Sequence, residues 1–152
     1  MLKRNKKQNV RDPIRPAHQA GSLEVEMERK QKILIIDDEE DFCHFVKLNL
    51  ERTGKFEVLA ASQAQAGISL AMVNQPDLIL LDILMPDMDG SQVAENLLLE
   101  PTTKNIPIVF LTALAQKKEV ESAEGVIGGR TFIAKPVNPQ ELIARIDMVL
   151  GK

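Results

Sequence analysis

Short, wholly apolar runs recur along this chain, and they constrain its fold more than any other feature. Ile33-Leu34-Ile35-Ile36, Leu78-Ile79-Leu80-Leu81 and Ile108-Val109-Phe110-Leu111 each hold four consecutive apolar residues with no polar break. A strand with one wet face would alternate, whereas a strand covered on both faces reads as a continuous run. Two weaker segments, Phe56–Ala60 and Thr131–Ala134, complete a set of five. Strands buried on both sides need layers above and below them, and the intervening segments have the lengths and patterns of helices.

Those segments carry their own start and stop signals. Phe42, Phe45, Val46 and Leu50 fall on one helical face, ended by Gly54. Cys43 and His44 on the same helix lack metal or triad spacing, and are read as a packed thiol and a surface imidazole. Ser62 with Gln65 reads as a capping box for a helix running to about Asn74, with Ala66, Leu70 and Val73 facing inward and Pro76 after it. A turn at Pro86-Asp87-Met88-Asp89-Gly90 leads to a helix carrying Val93, Leu97 and Leu98, ended by Pro101. Ala115–Glu124 is weakly amphipathic, and Gly125, Gly128 and Gly129 after it read as a connection. The last helix has Asn138 as cap, Pro139 at its first position and Glu141 at the capping-box site, with Leu142, Ile143, Ile146, Val149 and Leu150 as its apolar face. Strand and helix thus alternate five times, which predicts an α/β fold: a doubly wound parallel sheet with helices on both faces and right-handed crossovers.

Charge separates the chain into two parts. Residues 1–30 carry a net +4 and residues 31–152 a net −7. The first stretch has two prolines, a basic cluster and no apolar periodicity over residues 1–22, so it is read as a flexible basic arm. An acidic body argues against a nucleic-acid-binding surface on the domain itself. No run approaches the ~20 apolar residues needed to span a bilayer, and no apolar segment follows the basic start as in a secretory signal. A single cysteine excludes an internal disulfide and fits a reducing compartment, so the protein is expected to be cytoplasmic.

The chemistry is concentrated where the strands end. Asp37 and Asp38 follow the first strand, Asp82 the third, Thr112 the fourth and Lys135 the fifth. In open α/β sheets ligands bind outside the carboxyl ends of the strands. Three carboxylates gathered there would repel one another without a cation. Oxygen donors of this kind suit Mg²⁺, which takes one or two carboxylates directly and keeps several waters. Lysine and threonine add a point charge and a hydroxyl donor. Together these describe a carboxylate nucleophile, a metal and two groups that neutralise a transferring phosphoryl group.

With the segments Ile-Asp37-Asp38-Glu, Leu-Leu-Asp82-Ile-Leu-Met-Pro-Asp-Met-Asp-Gly, Leu-Thr112-Ala113 and Phe132-Ile-Ala-Lys135-Pro136 in place, the chain resembles the receiver domains of two-component response regulators over about residues 31–151. The resemblance implies a flavodoxin-like sheet of order 2-1-3-4-5. It implies that Asp82 accepts a phosphoryl group from a phosphohistidine of a sensor histidine kinase or phosphotransfer protein. Asp38 and Asp82 would bind Mg²⁺ directly with the backbone carbonyl of Leu84, while Asp37 would act through water. Thr112 and Lys135 would hold the phosphoryl oxygens, and Thr112 and Phe132 would form the switch, here without the hydroxyl that a tyrosine would carry. The Lys135–Pro136 bond would be cis. Leu84 and Leu114 occupy the two positions that flank the path of a hydrolytic water, so slow loss of the phosphoryl group is expected. With no output domain after the receiver, the chain is similar to stand-alone members; its downstream target is unknown, and a phosphorylation-dependent homodimer is a further expectation. Such a protein is no enzyme in the usual sense, catalysing only its own phosphorylation and slow dephosphorylation. The usual acidic residues are missing around Gly128-Gly129-Arg130, which makes the output face unusual there.

Two other readings compete. A haloacid-dehalogenase-like phosphatase also uses an aspartyl phosphate, but places an acid two residues after its nucleophile, where this chain has Leu84. A phosphorylation-independent interaction module would be expected to lack one of the acidic or lysine positions, and all are kept here.

Overall fold

The structure is a computed structural model that describes residues 29–112, 126–127 and 130–152, without the side chains of 126 and 127. The chain divides into two units, residues 1–30 and 31–152. Of the first, only Arg29 and Lys30 are among the described residues, so the arm expected at residues 1–30 lies outside them.

The second unit runs β1 (Gln31–Ile36), α1 (Glu40–Arg52), β2 (Phe56–Ala61), α2 (Ala64–Asn74), β3 (Leu78–Asp82), α3 (Gly90–Leu99), β4 (Ile108–Thr112), β5 (Val126–Ile127), β6 (Arg130–Ala134) and α4 (Pro139–Leu150). Five strands are parallel in the order β2-β1-β3-β4-β6, which counts as 2-1-3-4-5 among the parallel strands. The short β5 pairs antiparallel with β6 outside it. This strand was not foreseen, because its two residues fall in a segment read as a glycine-rich connection. Gly125, Gly128, Gly129 and the helix expected over 115–124 lie outside the described residues.

Successive strand residues point to opposite faces, so the apolar runs split into two cores. Ile33, Ile35, Leu78, Leu80, Val109 and Leu111 pack with α1 and α4 on one face. Leu34, Ile36, Ile79, Leu81 and Phe110 pack with α2 and α3 on the other. This is the physical reason those runs have no polar break. Cys43 is buried, with its Sγ donating to the Asp37 carbonyl at 3.3 Å, and burial pushes its thiol up to about 12; His44 is exposed.

Helix faces depart from expectation in two places. On α2, Ala64, Gly67, Ile68 and Ala71 are buried, whereas Val73 is 80% exposed and Ala66 is also exposed. Nearly every α2 residue is apolar or small, so periodicity could not pick the face; close approach to the sheet selects the smallest side chains. A Cβ on Gly67 would lie 2.6 Å from Ile36 Cδ1. On α3, Leu98 is 54% exposed, and Ala94 faces the core with Val93 and Leu97.

The caps also differ. The box expected at Ser62 and Gln65 is not made: Gln63 is the cap residue, with no side-chain bond of its own. The Ala64 N–H instead donates to Asp87 Oδ2 at 2.8 Å. The turn after β3 therefore caps α2 as well as leading into α3, whose own start carries a capping box between Asp89 and Gln92. At α4, Asn138 accepts from the N–H groups of Gln140 and Glu141, as its sequence predicts.

Candidate functional site

Parallel register brings the strand ends together. Ile36 pairs with Leu81, so Asp37 emerges beside Asp82. Asp82 pairs with Leu111, and Thr112 with Ala134, so Thr112 and Lys135 emerge on the other side. The Lys135 N–H donates to the Thr112 carbonyl at 2.9 Å, which ties those two ends to each other. The Lys135–Pro136 bond is cis, as expected.

The turn following β3 is held against the site from below. Its Gly90 N–H donates to the Ile83 carbonyl at 2.7 Å. A Cβ on Gly90 would meet the Asp82 carbonyl oxygen and lie 2.7 Å from Ile83 Cα. No side chain fits there, so glycine sets how closely α3 approaches the strand end that carries Asp82.

Three carboxylates converge. Asp37 is fully buried and Asp82 is 7% exposed, whereas Asp38 is exposed. Oxygens from all three lie within 4.8 Å of one another. Lys135 Nζ sits among them, 2.7 Å from Asp37 Oδ2 and 3.9 Å from Asp82 Oδ1. Asp37 Oδ1 accepts from the Glu39 N–H at 2.9 Å, while its buried Oδ2 has the charge of Lys135 nearby but no well-aligned hydrogen bond. Burial pushes the Asp82 carboxyl up to about 7, with the Asp37 charge adding to the shift, Lys135 opposing it and a bond to the Asp38 side chain raising it further. The Asp37 carboxyl is raised too, by burial, against the pull of Lys135. For Lys135, burial works against the charge, yet its bonds to Asp37 and Glu39 win and hold the amine above its ordinary value. Without a metal, then, the cluster has one cation among the described residues and favours retaining a proton.

Other foreseen residues fall around this centre. Thr112 is buried at the end of β4. Leu84 is 70% exposed and, with Phe42, Phe45 and Pro136, borders a cavity of about 1080 Å³ that opens onto Asp38, Asp82 and Lys135. Phe132 is half-buried and stacks on Phe110, their ring centroids 5.3 Å apart. Ala113 and Leu114 lie outside the described residues. Glu40 and Asp41 occupy the first turn of α1, where the helix dipole accounts for them.

Two residues at the centre were missed. Glu39 Oε1 lies 2.8 Å from Lys135 Nζ, and the Phe42 ring centroid lies 4.5 Å from it. Glu39 was hidden in an acidic run beside Glu40 and Asp41, which the helix dipole explains, and Phe42 inside the apolar face of α1. A pairing across 96 positions leaves no local mark.

The Response regulator receiver domain family matches residues 33–147. Among curated proteins, the alkaline phosphatase synthesis transcriptional regulatory protein PhoP of Bacillus subtilis is 35% identical, over 80% of this chain and 49% of its own length. The transcriptional regulatory protein SrrA of Staphylococcus aureus is 40% identical, over 80% of this chain and 48% of its own. The chain therefore spans about half the length of these relatives. Among solved structures, a response regulator from Chloroflexus aurantiacus superposes with a TM-score of 0.68 at 30% identity, covering 82% of this chain and all of that one. The chemotaxis protein CheY4 of Vibrio cholerae gives 0.66 at 25% identity, covering 80% of this chain and 99% of its own. Among the described residues no helix is long and apolar enough to cross a membrane.

Proposed function

Because the chain belongs to the response regulator receiver domain family, we propose that Asp82 is its phosphoacceptor, loaded by the phosphohistidine of a sensor kinase or phosphotransfer protein. The observation that carries this reading is the setting of Asp82, a buried carboxylate at a strand end with two further acids and one lysine around it. In the transfer, an Asp82 oxygen attacks phosphorus, the bond from phosphorus to the imidazole nitrogen breaks, and its electron pair stays on the ring. Lys135 and the Thr112 hydroxyl hold the equatorial oxygens and offset their charge.

The donor set fits Mg²⁺: hard carboxylate oxygens, an excess of negative charge and a buried Asp37 oxygen without an aligned bond. Asp38, Asp82 and the Leu84 carbonyl would hold the ion, with Asp37 acting through water. When bound, it neutralises charge between the acids and the phosphoryl group. Phe132, stacked on Phe110 beside Thr112, would report the loaded state to the β6–α4 side by a change in ring burial. The downstream partner reads that change.

A small-molecule phosphodonor with Mg²⁺ should add one phosphoryl group to the wild type and none to Asp82→Asn, as read by mass. Equal modification of the two proteins would sink the assignment.

A further inference from the structure

Lys135 reaches the acidic cluster already engaged on a side away from Asp82. Its ammonium lies 2.7 Å from Asp37 and 2.8 Å from Glu39, but 3.9 Å from Asp82. The Phe42 ring, its centroid 4.5 Å from Nζ, offers a π-face to the charge. Glu39 and Phe42 lie three positions apart at the start of α1, a spacing that puts side chains on neighbouring turns of one face. Glu39 is the cap residue of that helix, yet its side chain makes no capping bond. Its backbone is fixed instead by the N–H donated to Asp37, which leaves the carboxylate to reach Lys135.

We infer that Glu39 and Phe42 are positioning residues that seat Lys135 beside Asp82 in the resting protein, and that loading requires Lys135 to leave Glu39 for the phosphoryl oxygens. This rests on the reading of Asp82 as phosphoacceptor. The two resting carboxylates are not equivalent. Asp37 is wholly buried, and withdrawing Lys135, the only cation paired with it among the described residues, would strand a charge in the interior. The Glu39 side chain is 63% exposed, so water can take over its solvation when the lysine leaves. A phosphoryl group brings nearly two negative charges and three strong acceptors, a better partner than a solvated single carboxylate. Lysine has three donors, so it can keep Asp37 while exchanging Glu39 for a phosphoryl oxygen. Bond making at Asp82 is unchanged by this; only the lysine's availability is.

The seat is tested with Glu39→Gln, Glu39→Asp and Phe42→Leu in the full chain. The aspartate keeps the charge but is one methylene too short to reach, and the leucine removes the π-face without altering charge. The first readout needs no donor: in ¹⁵N-lysine-labelled resting protein, the Lys135 side-chain signal should move in all three variants. The second is the initial rate of loading by acetyl phosphate and Mg²⁺, expected to rise about threefold in both Glu39 variants, the scale of one exposed ion pair, and less in Phe42→Leu. Once loaded, the four proteins should share one Lys135 signal, since Glu39 is no longer its partner. If Glu39→Asp loads like wild type while Glu39→Gln is faster, Glu39 merely repels an anionic donor and the seat is wrong. A resting Lys135 signal unmoved by all three substitutions overturns it equally. If no protein takes up phosphoryl, it is the phosphoacceptor reading that fails, and the resting spectra still decide the seat.

Discussion

Gly90→Ala is the substitution whose effect the structure defines most sharply. Gly90 opens α3 without a positive φ, so the reason for glycine is space and not backbone conformation. The added methyl would press on the Asp82 carbonyl oxygen and lie 2.7 Å from Ile83 Cα, about 1 Å inside ordinary carbon–carbon contact. Both obstacles are backbone, and no rotamer change relieves them. Overpacking costs about 1–3 kcal/mol where side chains can adjust, and rigid neighbours put this case near 3. A domain of this size should lose roughly 10 °C in melting temperature. The relief available is a shift of the β3 end itself, which carries Asp82. A 1 Å misplacement of a reacting group can cost about 100-fold in rate, so loading should fall far more than stability alone explains.

Gly151→Ala provides the control. Gly151 has φ of 78° and nothing within 4 Å of a new Cβ, so that variant meets only the left-handed backbone penalty of about 1 kcal/mol. It should melt a few degrees lower and load normally. Thermal melts and initial phosphoryl incorporation, measured side by side, decide the matter. A Gly90→Ala protein that melts within a degree of wild type and loads at the same rate would refute the close-approach argument.

Three further outcomes are expected. The Asp82 carboxyl, ordinarily at 3.8 and here at about 7, contributes stability that is complete below about pH 4 and lost as pH rises through 7. Metal-free wild type should therefore weaken from pH 5 to 8; Asp82→Asn should flatten that trend and gain on the order of 1–2 kcal/mol at pH 8, a figure kept low because solvent reaches the site, and urea melts in chelator will show either result. Asp87→Ala removes the acceptor that caps α2 and should cost about 1 kcal/mol without changing the phosphorylation site, checked by the same melts. Leu84→Asn, at a 70% exposed position bordering the cavity over Asp82, should shorten the phosphoryl lifetime severalfold by giving water a partner; an unchanged decay curve would show that Leu84 does not control access.

What could be read from the residues follows how each signal is written. Strands buried on both faces leave unbroken apolar runs, and the residue that ends each run is fixed by position alone. Asp37, Asp82, Thr112 and Lys135 were legible for that reason, and parallel register then carried them to one edge. The face of α2 was not legible, because a segment rich in alanine and apolar residues gives periodicity nothing to distinguish. The cap of α2 was misread because its acceptor, Asp87, lies 23 positions away in a different loop, while Ser62 offered a local pattern that the fold does not use.

Glu39 shows the deeper limit. Sequence spacing supplies the members of a charge cluster but not their pairing, which depends on the relative solvation of each member. Asp37 and Asp82 are both buried carboxylates, and a lysine emerging on the Asp82 side of β1 could have been expected to favour Asp82, the proposed phosphoacceptor. The shortest contacts instead go to Asp37, whose burial keeps water from solvating its charge, and to Glu39, which the start of α1 holds within reach. Asp82 is left with the longest contact and a carboxyl that tends to keep its proton. If Asp82 is the phosphoacceptor proposed above, a nucleophile in that condition is weak until a cation arrives, which would couple loading to the metal as well as to the lysine's release. Raising Mg²⁺ should therefore speed loading most where Asp82 is most protonated, below pH 7, and a rate equally sensitive to Mg²⁺ at pH 6 and pH 8.5 would break that link.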